Sequence, residues 1–566
     1  MPETASRCLI IPAIKKSAVI PDQLVKKLAG KTLIQRALDT ALEVAEGKDI
    51  LVFTDSDEIR LVCLRSGVEC AYNPEYAIKS LNIVSALEPL LQELATRYEH
   101  LVIYRASSPL INGEDIEDAY KRFTASDSGC LVSVRSVQYR FWKDEPVDLG
   151  ALLSDGDERS AYVETKALVM LRAGLFRDAS GNCARPVKVL PYFLQDRSVE
   201  INSYQDWWVC EKLLSRKHIV FVVAGYPAIG MGHIYRALML AHEISDHKIT
   251  FVCTRESELA VSQIASKDYR TKIQGEETLE QAVLRQRPDL VINDILNTEA
   301  AYVRALKNAG CRVINFEDEG AGAELADLVV NALYTVDKHA DLRLLYGSKY
   351  FCLRDEFVQA EQNAFREKPG RILVTFGGTD DSDFTRKTLE ALFPECLAAG
   401  LSISVVVGPG NAHLEALQVY ITELNEEAER FVASGFLDLP PDSGPLVSFT
   451  HATNAMSRMM EGVDMAVCSA GRTVYELAHM RIPAIVFSHH AREDMHNFAR
   501  PRNGFVYLGI MERFDVGGVQ QAFARMLDPR FRKELFLRQS RFDFTPNKMR
   551  VVQRMLDLLP KENGEA

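Results

Sequence analysis

The sequence predicts an α/β protein built from three Rossmann-type domains in series, and three observations carry that expectation. Its 566 residues far exceed what one hydrophobic core supports, so two to four domains are expected, with three as the working number. Short apolar β-type runs alternate with longer amphipathic stretches, the rhythm of a parallel α/β sheet. That rhythm restarts twice, at HIVFVVAG (218–225) and at RILVTFGG (371–378).

In the first domain, residues 1–216, the runs are CLIIPA, LIQRALDTALEVA, DILVFTD, IVSALEPLLQELATRY and LVIYRA. The second, residues 217–366, follows its opening strand with a Gly-rich turn and the helical IYRALMLAHEI. It continues through ITFVCT, DLVINDI, RVINFED and LVVNALY. The charged AEQNAFREKPG (360–370) reads as a linker, and residues 371–560 form a third set through SISVVVG, MAVCSAG and IPAIVFS.

Composition narrows the function classes. With 47% hydrophobic and 25% charged residues the chain is ordinary globular material. A net charge of -12 and a pI near 5.6 argue against broad nucleic-acid binding, which needs a basic face. The 11 cysteines show neither C-x-x-C nor zinc-ligand spacing, so free thiols are expected. No secretory leader is evident and no run approaches the roughly 18 apolar residues of a membrane span, so a cytoplasmic protein without membrane insertion is expected.

Ligands of open α/β sheets gather at the carboxyl ends of the strands, which makes the following turns the places to look. After the first strand comes Ala13-Ile14-Lys15-Lys16-Ser17-Ala18-Val19-Ile20-Pro21, then LAGKTLIQRAL. This resembles the IIPARGGSKGIPxKN opening and GKPLI-type helix start of CMP-sialic acid synthetases and related sugar-acid cytidylyltransferases. TDSDEI (54–59), ASSPL (106–110) and RSVEINSYQDWWVCEKLL (197–214) resemble that family's later segments in the right order. The resemblance implies a nucleotidyltransferase-like fold, CTP as substrate, transfer of CMP to a sugar acid, Mg²⁺ as cofactor, and a homodimer. It places Lys15, Lys16 and Ser17 in the triphosphate loop with Lys16 as catalytic candidate, Ser107 in the nucleotide pocket, and Glu200, Asn202 and Asp206 at the metal.

The same comparison shows departures. Ile14 stands where the family has Arg, Ala18 where it has Lys, and Asn73 in its Arg-Pro pair. Lys15 and Lys16 replace two glycines, restoring charge but not the close backbone approach that glycine permits. Glu200 and Asn202 replace aspartates as oxygen donors suited to Mg²⁺. Alternatively they are polar positions of a half-exposed strand, and Asp206 caps the next helix. The domain is therefore either a working CMP-transferase or a degenerate scaffold.

In the second domain, AGYPAIGMGHIYRALMLA places Gly230, Gly232 and His233 at the head of a helix, where N–H groups and the dipole favour an anion. This resembles the I-G-x-G-H-x-x-R-x-L-x-L-A opening of the UDP-sugar hydrolase of pseudaminic acid biosynthesis and its spore-coat polysaccharide relatives, with His233 and Arg236 matching. NDI (293–295), INFEDEGAGAELADLVVNA (314–332), CLRDEF (352–357), VTFGGTD (374–380) and DMAVCSAGRTVYELAHMRIPAIV (464–486) continue the match. The resemblance implies a GT-B pair of domains around a nucleotide-sugar site.

There Gly377, Gly378 and Thr379 form a backbone-rich loop, Ser469, Gly471 and Thr473 suit a diphosphate, and Glu476 can accept the ribose hydroxyls. His233 is the candidate for activating water or assisting departure of the nucleotide, since imidazole exchanges protons near neutral pH. Where the hydrolases carry A-x-N-Q, this chain has Ser488-His489-His490-Ala491-Arg492-Glu493-Asp494-Met495-His496, read as polar loop residues rather than a metal site. The whole is read as a bifunctional nucleotide-sugar enzyme of nonulosonic acid or related surface-glycan biosynthesis. The alternative is a GT-B glycosyltransferase fused to a scaffold domain.

Overall fold

A computed structural model of the chain describes residues 7–15, 20–75, 83–139, 159–176, 187–194, 197–226, 232–334, 343–378, 380–433, 445–453 and 455–559. Lys16, Ser17, Gly230 and Thr379 lie outside the described residues. The chain separates into two compact units that part between Arg216 and Lys217.

The first unit holds a seven-stranded sheet of order β3-β2-β1-β4-β6-β5-β7. Its strands are β1 (Arg7–Ala13), β2 (Ile50–Thr54), β3 (Glu69–Tyr72), β4 (His100–Tyr104), β5 (Cys130–Tyr139), β6 (Arg159–Arg172) and β7 (Val189–Phe193). Alternate side chains of β1 enter opposite cores. Leu9 and Ile11 pack with Ile34, Leu38 and Phe123, whereas Cys8 and Ile10 pack with Leu91 and Leu101. The sheet is mixed where the sequence rhythm suggested parallel strands only, because the long β6 runs antiparallel to both β4 and β5. The pattern of apolar residues along a strand carries no mark of its direction, so the antiparallel pairing is invisible to periodicity.

The second unit contains two wholly parallel sheets. One has order β10-β9-β8-β11-β12-β13-β14, built from β8 (His218–Val223), β9 (Lys248–Cys253), β10 (Thr271–Ile273), β11 (Leu290–Asp294), β12 (Arg312–Phe316), β13 (Leu328–Asn331) and β14 (Leu344–Tyr346). The other has order β17-β16-β15-β18-β19-β20, from β15 (Arg371–Thr375), β16 (Ser402–Val407), β17 (Val447–His451), β18 (Met465–Ser469), β19 (Ala484–Ser488) and β20 (Phe505–Ile510). Two such sheets facing a cleft give the GT-B layout. In each, strand order reverses beside the first strand, between β8 and β11 and between β15 and β18, and ligand crevices open at such switch points.

The two lobes are laced together at one line. Phe351, Leu353 and Phe357 belong to the core under β18, and so does Phe544, whose ring lies 5.9 Å from that of Phe351. The last helix, Asn547–Leu556, then returns to the first lobe and places Val551, Val552 and Met555 among Ile219, Phe221 and Leu240. Asn547 Nδ2 donates to the Ser348 carbonyl at 3.0 Å and Arg550 to the Lys349 carbonyl at 2.8 Å. The expected linker is docked rather than free. Asn363 donates to the Met460 and Met480 carbonyls, and Arg366 binds Asp464 at 2.7 and 2.9 Å.

Candidate active site

In the first unit the expected residues fall into two groups. The Lys15 amide donates to Asp55 at 2.8 Å, and its ammonium lies 2.7 Å from Glu58 and 3.4 Å from Asp22. Glu200 Oε1 accepts from Ser107 Oγ and Arg105, each at 3.2 Å, and Asn202 Nδ2 reaches Oε2 at 3.3 Å. Asp206 Oδ2 accepts from the Asn202 amide and the Ser203 hydroxyl, while Ser203 caps the helix Tyr204–Leu214 by accepting from the Asp206 amide. As placed, these three residues do not fit a Mg²⁺ ion, since the Arg105 guanidinium occupies Glu200 and the Asn202 amide and Ser203 hydroxyl take one oxygen of Asp206. No group of three or more His, Cys, Asp or Glu suited to a metal occurs among the described residues.

In the second unit the switch points of the two sheets face one another across a cavity of about 660 Å³. It brings together Gly232, His233 and Arg236 from the first lobe with Gly377, Gly378, Ser469, Gly471, Thr473 and Glu476 from the second. The approach is close. A Cβ on Gly232 would lie 3.1 Å from Arg472 Cδ, and one on Gly408 would lie 2.4 Å from Gly378 Cα, so the turns after β15 and β16 touch through backbone alone.

At the centre is a buried cluster that gathers three strand ends. Asp294, at the tip of β11 and 1% exposed, lies 2.5 Å by Oδ1 from His233 Nδ1. It also accepts from Arg236 Nε at 2.7 Å and Nη2 at 2.5 Å, and Arg236 Nη1 donates to Glu317. With Asp294 accepting at Nδ1, a neutral His233 keeps its proton there and offers Nε2 as an acceptor. Burial alone would raise the Glu317 carboxyl, but the charges of Arg236, His233 and Arg472 hold it well below the usual carboxylate range.

Left-handed backbone occurs elsewhere in the chain and also in this cleft. Leu296, Glu317, Asp380 and Ala452 all line it and all have φ between 51° and 67°, the left-handed region that costs a non-glycine residue about 1 kcal/mol or more. The Asp380 carboxylate caps the helix Phe384–Ala399 through the Phe384 and Thr385 amides. One oxygen of Glu476 accepts from Arg354 Nε at 2.9 Å.

Sequence reasoning named His233 and Arg236 but not the acids that hold them, although Asp294 and Glu317 stand in the NDI and NFEDEG turns. Arg354, Arg472 and Glu493 also line the cleft. The loop histidines His489, His490 and His496 all line the cavity, and burial pushes the His489 imidazole down to about 4.

Residues 8–147 match the family model described as cytidylyltransferase. The chain is 26% identical over 284 residues to an uncharacterized protein of Methanocaldococcus jannaschii, covering 47% of this chain and 55% of that one. It is 25% identical over 282 residues to the spore coat polysaccharide biosynthesis protein SpsG of Bacillus subtilis, covering 48% of this chain and 76% of the relative. To the N-acylneuraminate cytidylyltransferase of Streptococcus agalactiae it is 31% identical over 132 residues, 23% of this chain and 32% of the relative. The chain spans about half the length of the first of these relatives. An alignment of 282 residues to SpsG is longer than the first unit up to Arg216, so it reaches into the second.

Proposed function

We propose that the chain is a bifunctional nucleotide-sugar enzyme of nonulosonic acid or related surface-glycan biosynthesis, with domains at 1–216, 217–366 and 371–560. The second unit takes a nucleotide sugar into its cleft and hydrolyses the anomeric C–O bond. The first attaches CMP from CTP to a sugar acid. The observation that carries the reading is His233, held through Nδ1 by Asp294 and facing the Ser469–Glu476 turn of the opposite lobe across one cavity.

In this reading the nucleotide's diphosphate lies against the Ser469, Gly471 and Thr473 turn with Gly377 and Gly378, and Glu476 accepts ribose hydroxyls. His233 Nε2 takes a proton from water as it attacks, and Asp294 stabilises the imidazolium that forms. Arg236, already neutralised by two carboxylates, positions Asp294 and is not the cation for the phosphates. Arg472 is the cation that fits them, since it contacts the same acidic cluster only at 3.6 Å. In the first unit Lys15, Lys16, Ser17 and Ser107 receive CTP, and the cation requirement of CMP transfer falls on the triphosphate because Glu200 and Asp206 are engaged. A cytoplasmic homodimer completes the proposal.

A transferase would use the same cleft, whose volume lies within the range of small-molecule sites and whose wall carries His489 and His490. The deciding experiment incubates the protein with UDP-, GDP- and CMP-sugars without acceptor, and separately with CTP, Mg²⁺ and nonulosonic acids. Acceptor-independent release of nucleoside diphosphate, abolished in His233→Ala, and release of pyrophosphate are the expected results. Unchanged turnover in His233→Ala overturns the catalytic assignment.

A further inference from the structure

The cleft holds a buried acid that the hydrolytic chemistry above leaves without a task. Glu493 sits in the helical turn Ala491–Asp494 after β19, 8% exposed, on the wall of the cavity. Its Oε2 accepts the His489 amide at 2.7 Å, and its Oε1 lies 3.5 Å from where a Cβ on Gly471 would stand. The carboxyl therefore packs on the turn assigned to the diphosphate.

Its surroundings supply no counter-charge. Among the described residues no lysine, arginine or histidine lies within ion-pair distance of this carboxyl, although Arg236 and Glu317 a short way across the cleft are each paired. From β18 it meets the Cys468 thiol and the Ser469 hydroxyl, the latter a hydrogen-bond partner. On its own loop, His490 Nδ1 accepts the Glu493 amide, Arg492 turns away to Asn297 and the Glu317 carbonyl, and Asp494 pairs with Arg500. His489 is pushed towards its neutral form, and the His496 imidazole is committed to the Ala470 carbonyl. An ionised carboxylate in this place would face a phosphate with nothing between them, whereas the protonated acid is a hydrogen-bond donor.

We propose that Glu493 binds the nucleotide as a neutral carboxylic acid, donating its proton to a diphosphate oxygen at the Ser469–Gly471 turn, so that nucleotide binding takes up a proton. The inference rests on the reading of that turn as the diphosphate site. Burial already pushes the Glu493 carboxyl up to about 7, against the opposing bonds from His489 and Ser469, so little further shift is needed to protonate it when an anion arrives.

The test is calorimetric titration of the full chain with UDP and with GDP at pH 7.5, in two buffers of different ionisation heat, which counts protons exchanged on binding. With the carboxyl titrating near 7, roughly three-quarters of free molecules are ionised at that pH. The intact protein should take up that many more protons per nucleotide than Glu493→Gln, which keeps a donor in the same place and should lose the steep weakening of affinity between pH 6 and 8. The intact protein's own pH dependence gives an independent reading if the variant folds poorly. Equal proton counts for both proteins, or an intact protein whose affinity does not change between pH 6 and 8, overturn the proposal alone. Failure of both nucleotides to bind overturns the diphosphate site and the proposal with it.

Discussion

Replacing Asp294 by Asn separates the catalytic reading of the cleft from a merely structural one. The carboxylate accepts three short hydrogen bonds, one from His233 and two from Arg236. An Asn amide turned towards the imidazole donates to Nδ1, driving the proton to Nε2, the nitrogen that must accept from water. The contribution of a positioned base is roughly 10²- to 10⁴-fold, so turnover should fall by that factor, about 3–5 kcal/mol of barrier. Stability should fall less than when a buried charge is wholly orphaned: Arg236 keeps Glu317, which points to about 3 kcal/mol, the lower end for breaking a buried pair. Nucleotide affinity should change little, because the diphosphate and ribose contacts come from the other lobe. The assay is single-turnover release of nucleoside diphosphate at saturating nucleotide sugar, with a urea midpoint to confirm folding and calorimetry for nucleotide affinity. A folded Asp294→Asn within tenfold of the intact rate would refute the idea that Asp294 sets the tautomer of His233.

Two further outcomes follow from the geometry. Gly408→Ala would set a Cβ 2.4 Å from Gly378 Cα and 2.7 Å from the Gly377 carbonyl oxygen, atoms that cannot rotate away. A loss of about 1–3 kcal/mol in urea unfolding and weaker nucleotide binding are expected, and unchanged values in both would refute the contact. Glu493→Gln should stabilise the free protein at pH 8 but not at pH 4: a carboxyl raised from 4.5 to about 7 on folding opposes folding only once pH exceeds its unfolded value, reaching at most about 3 kcal/mol above 7. Urea titrations of both proteins across that range should converge at low pH, and parallel curves would count against it.

Much of the scaffold was legible because parallel strands buried on both faces leave continuous apolar runs. Leu290 to Ile292 and Met465 to Cys468 are examples, each entirely buried. The turns after them carried the glycines and His233. The antiparallel β6 was not legible, since direction leaves no mark on burial. Nor was the convergence of Asp294, Glu317 and Arg472, which lie far apart in sequence and meet only because β11, β12 and the turn after β18 end at the same crevice. Asp206 shows the converse: an acid three residues past Ser203 can be read as a metal ligand or as a helix cap, and the hydrogen bonds give the cap to Ser203, with the Asp206 carboxylate holding the Asn202 amide and the Ser203 hydroxyl.

The lacing of the two lobes constrains how the cleft can move. Chain passes outward at Phe351–Phe357 and back at Phe544–Asn547, and those passages touch, through the rings of Phe351 and Phe544 and the bond from Asn547 to Ser348. Two straps fixed side by side behave like a door on one pin, permitting swing about a single line while resisting twist and slide. His233 and the Ser469 turn would then part and meet along one arc, so each closure returns the imidazole to the same bearing on the nucleotide. Cutting the chain before Asn547 would remove one strap and bare the apolar groove that Val551, Val552 and Met555 fill.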